Sequence, residues 1–185
     1  MTAYPTHSLE TAPDGSKPLL QGLQQGLGMV PNLAASMAES PALLQGFLGV
    51  REALHGGTFS PEEIQVLALT NAFENGCRYC MALHSAMGRK DGVSPETVEA
   101  LRAGRSPVEP KLQALSDFSR KLVRQRGAVE ELDVEAFCAA GYSKAQALEV
   151  VLGVAVSILP NYAHHITQCP VDEVFEAQAW TAPEE

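Results

Sequence analysis

The sequence predicts an all-α fold, and three observations indicate it. Aromatic side chains make up only 6% of the residues, and alanine and leucine supply much of the apolar content, a composition that suits packed helices better than sheets. Serine followed by proline recurs where apolar segments begin, at Ser40, Ser60 and Ser94, and this pair is typical of a helix start. Apolar residues then recur at helical rather than alternating spacing, so we expect about six to nine helices.

Helix starts and stops divide the chain into successive segments. Glycines end several of them, as at Gly28, Gly56 and Gly141, because glycine accepts the left-handed backbone that follows a last helical turn. Asp133 is expected to cap the eighth helix, and Pro160 to kink or break the ninth while its register continues. The expected segments are 16–27, 32–37, 40–55, 60–73, 77–90, 94–104, 111–126, 133–140 and 143–166.

The length of 185 residues fits one domain or two tightly joined halves. Residues 1–15 are polar with several prolines, so we expect a flexible N-terminal arm. Residues 16–176 form the predicted domain, and residues 177–185 a partly disordered acidic tail. The helix that begins at Ser60 is apolar on more than one side, and we therefore expect it to be central and buried.

Net charge and cysteine usage limit the partners and the location. Acidic side chains outnumber basic ones by 22 to 13, for a formal net charge of −9. Such a surface repels phosphate backbones, so we expect no nucleic-acid partner. The chain opens with no basic-then-apolar signal, and no apolar run is expected to have the length of a membrane span. The four cysteines do not form a dense secreted framework, so the default prediction is a cytoplasmic protein with no membrane partner.

The most informative stretch holds two cysteines three residues apart, Cys77 and Cys80, followed by His84. On a helix that begins near Cys77, these three side chains share one face. Residues three apart are also close enough for a disulfide. The preceding pair Asn75-Gly76 predicts a sharp helix end, which places Cys77 at the N-terminus of the next helix. Free N–H groups and the helix dipole favour a thiolate there.

This arrangement favours redox chemistry at sulfur. Only a thiolate attacks a peroxide O–O bond or a disulfide, and an ordinary cysteine is mostly protonated at neutral pH. His84 can take the thiol proton directly or through water. A nearby carboxylate, for which Glu74 is the candidate, would orient the ring and stabilise its charged form. After attack, Cys80 becomes a sulfenic acid and Cys77 condenses with it to a disulfide, which an outside reductant resets.

Two other interpretations of the cysteine pair stay open. A structural zinc site needs four ligands, so His84 and further groups, such as Cys138, Cys169 or the pair His164–His165, would have to converge on the dithiol. Alternatively, the two cysteines are inert, as buried free cysteines often are. In either case the chain would be a non-catalytic metal-binding or structural oligomeric module. The redox interpretation requires neither a metal nor a cofactor, and we expect none.

The stretch from Phe59 to about Lys90 has a Ser-Pro-Glu helix start and an Asn-Gly-Cys-x-Tyr-Cys-x-x-x-His core. It resembles the alkylhydroperoxidase D and carboxymuconolactone decarboxylase superfamily, and more narrowly its peroxidase-related branch. The resemblance extends from about Gly22 to Phe175. It implies an alkylhydroperoxidase D-like helical bundle with a central Cys-x-x-Cys helix and a homo-oligomer. It also implies reduction of a hydroperoxide substrate at the expense of a dithiol or protein reductant.

The resemblance assigns roles to three residues. Cys80 matches the cysteine that attacks the peroxide, Cys77 its disulfide partner, and His84 the histidine of the proton relay. Helix-dipole reasoning alone would instead favour Cys77 as the attacking thiolate, because it is nearest the helix start. We follow the resemblance, since His84 lies one helical turn from Cys80 and two from Cys77.

The chain departs from the family pattern at two positions. Gln65 stands where the family has its relay glutamate, and Tyr79 where the best-known peroxidases have a histidine. Glutamine cannot accept a proton, so we expect either that Glu74 substitutes or that the relay is shorter. The decarboxylase branch generally lacks the paired cysteines. A decarboxylase-like enzyme with both cysteines as bystanders is therefore the further alternative.

Overall fold

The computed structural model describes residues 4–182, and within that range it contains nine α-helices, one 3-10 helix and no strand. The all-α prediction is confirmed. The helices are α1 (Lys17–Leu27), α2 (Asn32–Met37), α3 (Pro41–His55), α4 (Pro61–Glu74), α5 (Arg78–Lys90), α6 (Pro95–Arg102), α7 (Pro110–Arg124), α8 (Glu131–Ala139) and α9 (Lys144–Thr167), and the 3-10 helix spans Glu173–Gln178.

Side-chain caps fix where several of these helices begin. Four serine hydroxyls accept a hydrogen bond from a backbone N–H of the first turn, which satisfies a donor that the helix leaves free. These serines are Ser40, Ser60, Ser94 and Ser143. The start of α8 differs from the prediction, because Asp133 lies within its first turn and accepts from the Glu130 N–H at 3.1 Å. The helix therefore begins earlier, at Glu131.

The helix α4 lies at the centre of the bundle. It packs against α3, α5, α6, α7 and α9, and every residue from Glu63 to Ala72 is buried. A helix that is covered all round has no face left for solvent, as the sequence predicts for the segment after Ser60. Because α5 follows α4 after a short break, the cysteine pair at the start of α5 is placed inside the bundle.

The helix α9 runs for 24 residues without a break at Pro160. By length and composition alone it could cross a membrane. The expectation that no apolar segment has this length is therefore wrong, because it assumed an apolar run interrupted at the proline. The buried face of α9 carries Ser157, Asn161 and His164 and packs against α2, α3 and α4. One face of α9 therefore packs inside the bundle, and the cytoplasmic location stays a prediction.

The domain boundaries stay predictions as well. Residues 1–3 of the predicted arm and residues 183–185 of the predicted tail lie outside the described residues. In the described part of the arm, Ala12 is buried. In the described part of the tail, the indole N–H of Trp180 donates to the Arg102 carbonyl at 2.9 Å. Both segments therefore contact the bundle.

Candidate active site

The break between α4 and α5 sets the position of the first cysteine. Gly76 has a left-handed backbone with φ of 61°, which glycine adopts without strain. The Cys77 N–H donates to the Ala72 carbonyl at 2.9 Å. Cys77 is the N-cap of α5, and its sulfur accepts a hydrogen bond from the Cys80 N–H at 3.4 Å. The predicted placement of Cys77 at a helix N-terminus is confirmed.

The two cysteines differ in access. Cys77 is 0% exposed and Cys80 4% exposed, and both are free thiols. Cys80 lines a cavity of about 380 Å³ together with His84, Gln65 and Asn161, whereas Cys77 is not part of the wall. A substrate in this cavity therefore meets the sulfur of Cys80, and Cys77 lies behind it.

The rest of the cavity wall is largely apolar. Side chains from α1, α3, α4, α5 and α9 contribute, including Leu23, Phe47, Leu54, Ile64, Leu83 and Val156. A second depression, of about 350 Å³ between α7 and α8, has no cysteine or histidine in its lining. The cavity at Cys80 is therefore the one that combines room for an organic molecule with reactive side chains.

His84 is held by the glutamine that replaces the family's glutamate. The Nδ1 atom of His84 lies 2.8 Å from the Oε1 atom of Gln65, and the Nε2 atom of Gln65 donates to the Asp91 carboxylate at 2.8 Å. Because a carboxylate only accepts, it fixes the Gln65 amide with its NH₂ group toward Asp91 and its oxygen toward the ring. The proton of neutral His84 is then on Nδ1, and Nε2 is left as an acceptor.

The protonation state of His84 follows from its surroundings. Burial, and then the positive charges of Arg51 and His55, lower its pKa to about 4. The ring is therefore neutral at physiological pH. A neutral imidazole with a free Nε2 atom can accept a proton from a thiol during a reaction. Sequence reasoning missed this role of Gln65 and Asp91, because Asp91 follows the end of α5 and comes close only in the folded bundle.

Glu74 does not contact His84. The expectation that its carboxylate orients the His84 ring is therefore wrong. Its carboxylate is held by two arginines of α7, with Arg120 Nε at 2.9 Å from Oε1 and Arg124 Nε at 2.6 Å from Oε2. The side chain of Glu74 is 5% exposed. The last turn of α4 directs Glu74 toward α7 rather than toward the cavity, so the carboxylate stabilises the packing of two helices.

We expect Glu74→Gln to destabilise the fold without slowing thiol oxidation. The change removes the nearer of the two carboxylates paired with the half-buried Arg120 guanidinium and leaves Asp117 at 3.4 Å, at a cost of about 2 kcal/mol in the free energy of unfolding. Chemical denaturation measures this loss, and stopped-flow thiol oxidation by a hydroperoxide measures the rate. A rate of thiol oxidation reduced tenfold or more in a folded Glu74→Gln protein would show that Glu74 takes part in the mechanism.

The negative charge of the dithiol is concentrated on its inner sulfur. A hydrogen bond from the Cys80 thiol, with further help from His164 and the Cys80 backbone N–H, outweighs burial and lowers the pKa of Cys77 to about 5. The same hydrogen bond and the burial of Cys80 raise the pKa of Cys80, and the Asn161 amide opposes them only in part. Near neutral pH the pair holds a thiolate at Cys77 and a thiol at Cys80.

His164 reaches the inner cysteine from α9. Its side chain is 1% exposed, and neither ring nitrogen has a hydrogen-bond partner of regular geometry. His164 makes no regular hydrogen bond to Cys77, but its proximity helps to lower the pKa of the Cys77 thiol. The sequence signal was a polar residue on the buried face of an apolar helix, which by itself does not reveal its neighbour.

We expect the thiolate absorbance of the reduced protein to titrate with a midpoint near pH 5. The thiolate is present above this pH and is lost below it, as Cys77 takes up a proton. In His164→Ala the midpoint should rise by about one unit toward that of an ordinary thiol. His7→Ala, which changes a histidine bonded to Thr11 and Glu39 instead, should leave it in place. An unchanged midpoint in His164→Ala would contradict the assigned contact.

Tyr79 has a structural position. Its hydroxyl donates to the Asp172 carboxylate and accepts from the Leu33 N–H at 3.3 Å. Asp172 in turn accepts from the Asn32 N–H at 3.0 Å. Burial raises the pKa of Tyr79, so the phenol is neutral. Tyr79, which stands where the best-known peroxidases have a histidine, therefore ties α5 to α2 and to the segment after α9.

Metal binding gains no support from the geometry. Among residues 4–182, no group of three or more histidine, cysteine, aspartate or glutamate side chains is arranged to hold a metal ion. Cys138 is half-buried in α8. Cys169 is buried after α9, where burial raises the pKa of its thiol. The convergence of ligands that a zinc site would need does not occur in the described residues.

Fold and site together define a class of protein: an all-helical bundle with a buried Cys-x-x-Cys pair at a helix start, whose outer sulfur faces a cavity beside a histidine. Residues 41–116 match the model of the carboxymuconolactone decarboxylase family. The predicted resemblance to the alkylhydroperoxidase D-like carboxymuconolactone decarboxylase superfamily is confirmed.

Solved structures with this fold cover nearly the whole chain. A peroxidase-related protein from Ralstonia eutropha JMP134, with an alkylhydroperoxidase AhpD core, is 23% identical over 93% of each chain, with a TM-score of 0.83. A peroxidase-related protein from Silicibacter sp. TM1040 is 22% identical over 95% of this chain and 93% of its own, with a TM-score of 0.78. The debrominase Bmp8 is 19% identical over 96% of both chains, with a TM-score of 0.78. At these identities the likeness shows the fold alone. No curated protein sequence matches this chain.

Proposed function

We propose that this protein is a thiol-dependent hydroperoxidase that cycles between a Cys77/Cys80 dithiol and a disulfide. The observation that carries the proposal is that the two cysteines differ in position and in charge. Cys80 lines the cavity with His84, and Cys77 lies behind it with the negative charge. The family match and the fold support an enzyme of this general type.

The first step needs a base, because hydrogen bonding and burial keep Cys80 protonated. The S–H of Cys80 turns from Cys77 to the free Nε2 atom of His84, which accepts the proton while the sulfur of Cys80 attacks the terminal oxygen of the hydroperoxide. The O–O bond breaks and Cys80 becomes a sulfenic acid. The departing alkoxide takes the proton from His84 and leaves as an alcohol. The low pKa of His84 makes this return of the proton favourable.

The second step uses the inner cysteine, which is already ionised. The thiolate of Cys77 attacks the sulfur of Cys80, the S–O bond breaks, and the hydroxide that leaves takes a proton from solvent. The dithiol has then supplied the two electrons that convert one hydroperoxide to an alcohol and water. An external dithiol or protein thiol restores the reduced pair by disulfide exchange.

Each competing activity predicts a different experimental result. Bmp8 is a debrominase, and an enzyme of that kind would act on a halogenated compound instead of a hydroperoxide. A decarboxylase-like enzyme with bystander cysteines would keep its turnover after replacement of both Cys77 and Cys80. A metal-binding or structural module would bind metal in stoichiometric amounts and would lose no thiols to peroxide.

We also propose that the chain forms a homo-oligomer through the outer face of α9. Leu148, Tyr162 and Ile166 on this helix are more than half exposed, at 74%, 53% and 64%. They continue a spacing of alternately four and three residues that includes Leu152, Ala155 and Leu159. This is the spacing by which a helix packs along a second copy of itself. Sedimentation should give a mass above that of the monomer, and a monomer at all concentrations would contradict it.

Catalytic turnover tests the proposed function. An organic hydroperoxide is mixed with the protein and an excess of dihydrolipoamide, thioredoxin or glutathione, and the alcohol is measured with time. We expect multiple turnovers with at least one of these reductants. Cys138→Ser, which changes a cysteine outside the cavity, should retain them, whereas the Cys77→Ser/Cys80→Ser double variant should lose them. Alcohol formation at an undiminished rate after the double replacement would overturn the proposal.

A further inference from the structure

The cavity at Cys80 contains a cation that has no anion beside it. Arg51 extends from α3 into the lining and is partly buried. Among residues 4–182, no carboxylate lies within ion-pair distance of its guanidinium, and no side chain or carbonyl is hydrogen-bonded to it. Most other arginines at helix contacts are paired, as Arg120 is with Glu74. A partly buried guanidinium of this kind is a ready partner for an anionic ligand.

The charges of the cavity lining also favour an anionic ligand. Its basic residues are Arg51 and Lys90, and its only acidic residue is Asp91, which is engaged by the Gln65 amide. The protein as a whole has a net charge of −9, whereas the lining of the cavity has a net positive charge. Apolar side chains make up most of the remaining wall. The cavity therefore combines a cationic group with an apolar surface.

Arg51 lies near the reactive end of this cavity. Its charge acts on both His84 and His55, and His84 shares the wall with Cys80. An anion paired with Arg51 would leave the rest of its molecule inside the same apolar space as the Cys80 sulfur. Arginine pairs with a carboxylate through two parallel hydrogen bonds, which fixes the orientation of the bound molecule.

We infer that the cavity selects an aliphatic hydroperoxide that carries a carboxylate, with Arg51 as the residue that binds this carboxylate. This inference rests on the proposed function for its reaction, but the carboxylate site can be tested separately. The apolar chain packs against the cavity wall, the carboxylate pairs with Arg51, and the hydroperoxide group meets Cys80. The reaction is the hydroperoxide reduction proposed for Cys80 and Cys77, so the carboxylate takes no part in bond making.

Binding without reaction gives the first test. Octanoate and its uncharged methyl ester are titrated against the reduced protein by calorimetry. We expect octanoate to bind the wild type about ten- to a hundredfold more tightly than Arg51→Gln, the usual range for a charge-assisted hydrogen bond. The ester should not distinguish the two proteins. Arg89→Gln, which removes the same charge from an exposed position outside the cavity, should bind octanoate like the wild type.

Reaction rates give the second test. A hydroperoxide of a medium-chain carboxylic acid and its methyl ester are compared by kcat/KM, and the ratio within each protein corrects for any effect of Arg51 on the dithiol itself. We expect the acid to be preferred about tenfold or more by the wild type and by Arg89→Gln, and the preference to vanish in Arg51→Gln.

The outcomes separate the two proposals. If both hydroperoxides oxidise the dithiol but acid and ester react alike, the carboxylate site is wrong and the hydroperoxidase stands. Octanoate binding that does not depend on Arg51 also overturns the carboxylate site. If octanoate binds through Arg51 but no hydroperoxide oxidises the dithiol, the proposed function is wrong and the carboxylate site stands.

Discussion

Cys80→Ser is expected to abolish oxidation of the remaining cysteines by an organic hydroperoxide, with a rate at least about a thousandfold below that of the wild type. Cys80 lines the cavity, and Cys77 is 0% exposed behind it. Loss of the outer sulfur therefore leaves no nucleophile within reach of the substrate. Stopped-flow thiol loss with mass spectrometry of the product measures the effect.

Cys77→Ser is the matched variant for this prediction. It should still consume one hydroperoxide per chain, but the product should be a sulfenic acid at Cys80 that a sulfenic-acid trapping reagent captures. The opposite pattern, with Cys77 oxidised in Cys80→Ser and no reaction in Cys77→Ser, would make the inner cysteine the nucleophile. Helix-dipole reasoning alone favours that pattern. The two variants therefore show whether the cysteine at the helix start or the cysteine in the cavity wall attacks the hydroperoxide.

His84→Ala is expected to slow the first step by about a hundredfold, within the usual scale for loss of acid–base assistance. Cys80 is protonated near neutral pH, and the alanine removes the group that accepts its proton. The second step should be unaffected, because Cys77 is already a thiolate. Rapid mixing resolves the two steps, since sulfenic acid formation depends on hydroperoxide concentration and disulfide formation does not.

His55→Ala is the comparison for this change, because His55 lines the same cavity and acts on His84 only through its charge, as the smallest of the three causes of its low pKa. It should keep the rate within a few-fold of the wild type. Gln65→Leu should fall between the two, since it leaves the imidazole but removes the amide that fixes its tautomer. A His84→Ala rate equal to that of His55→Ala would remove His84 from the mechanism.

The features that depend on neighbours in sequence were predictable. Serine caps, first-turn prolines and the spacing of apolar residues fix the helices locally. The shared face of Cys77, Cys80 and His84 follows from helical geometry. These parts of the site needed no knowledge of the tertiary structure.

The features that depend on distant segments were not predictable. His164 and Asn161 come from α9, and the pattern of α9 does not reveal which helix it packs against. The error on Glu74 has the same origin, because the sequence shows a carboxylate near the cysteines but not the two arginines of α7 that bind it. Gln65 could be recognised as a departure from the family, yet its link to Asp91 required the fold.

The central claim, that the cysteine pair reduces a hydroperoxide, is tested most directly by the product balance of a single turnover. Fully reduced protein is mixed with one equivalent of an organic hydroperoxide in the absence of reductant, and the alcohol, the remaining thiols and the disulfide linkage are measured. We expect one alcohol per chain, loss of two thiols, a Cys77–Cys80 disulfide, and Cys138 and Cys169 still reduced. Alcohol formed with all four thiols intact, or thiols lost without alcohol, would contradict the claim.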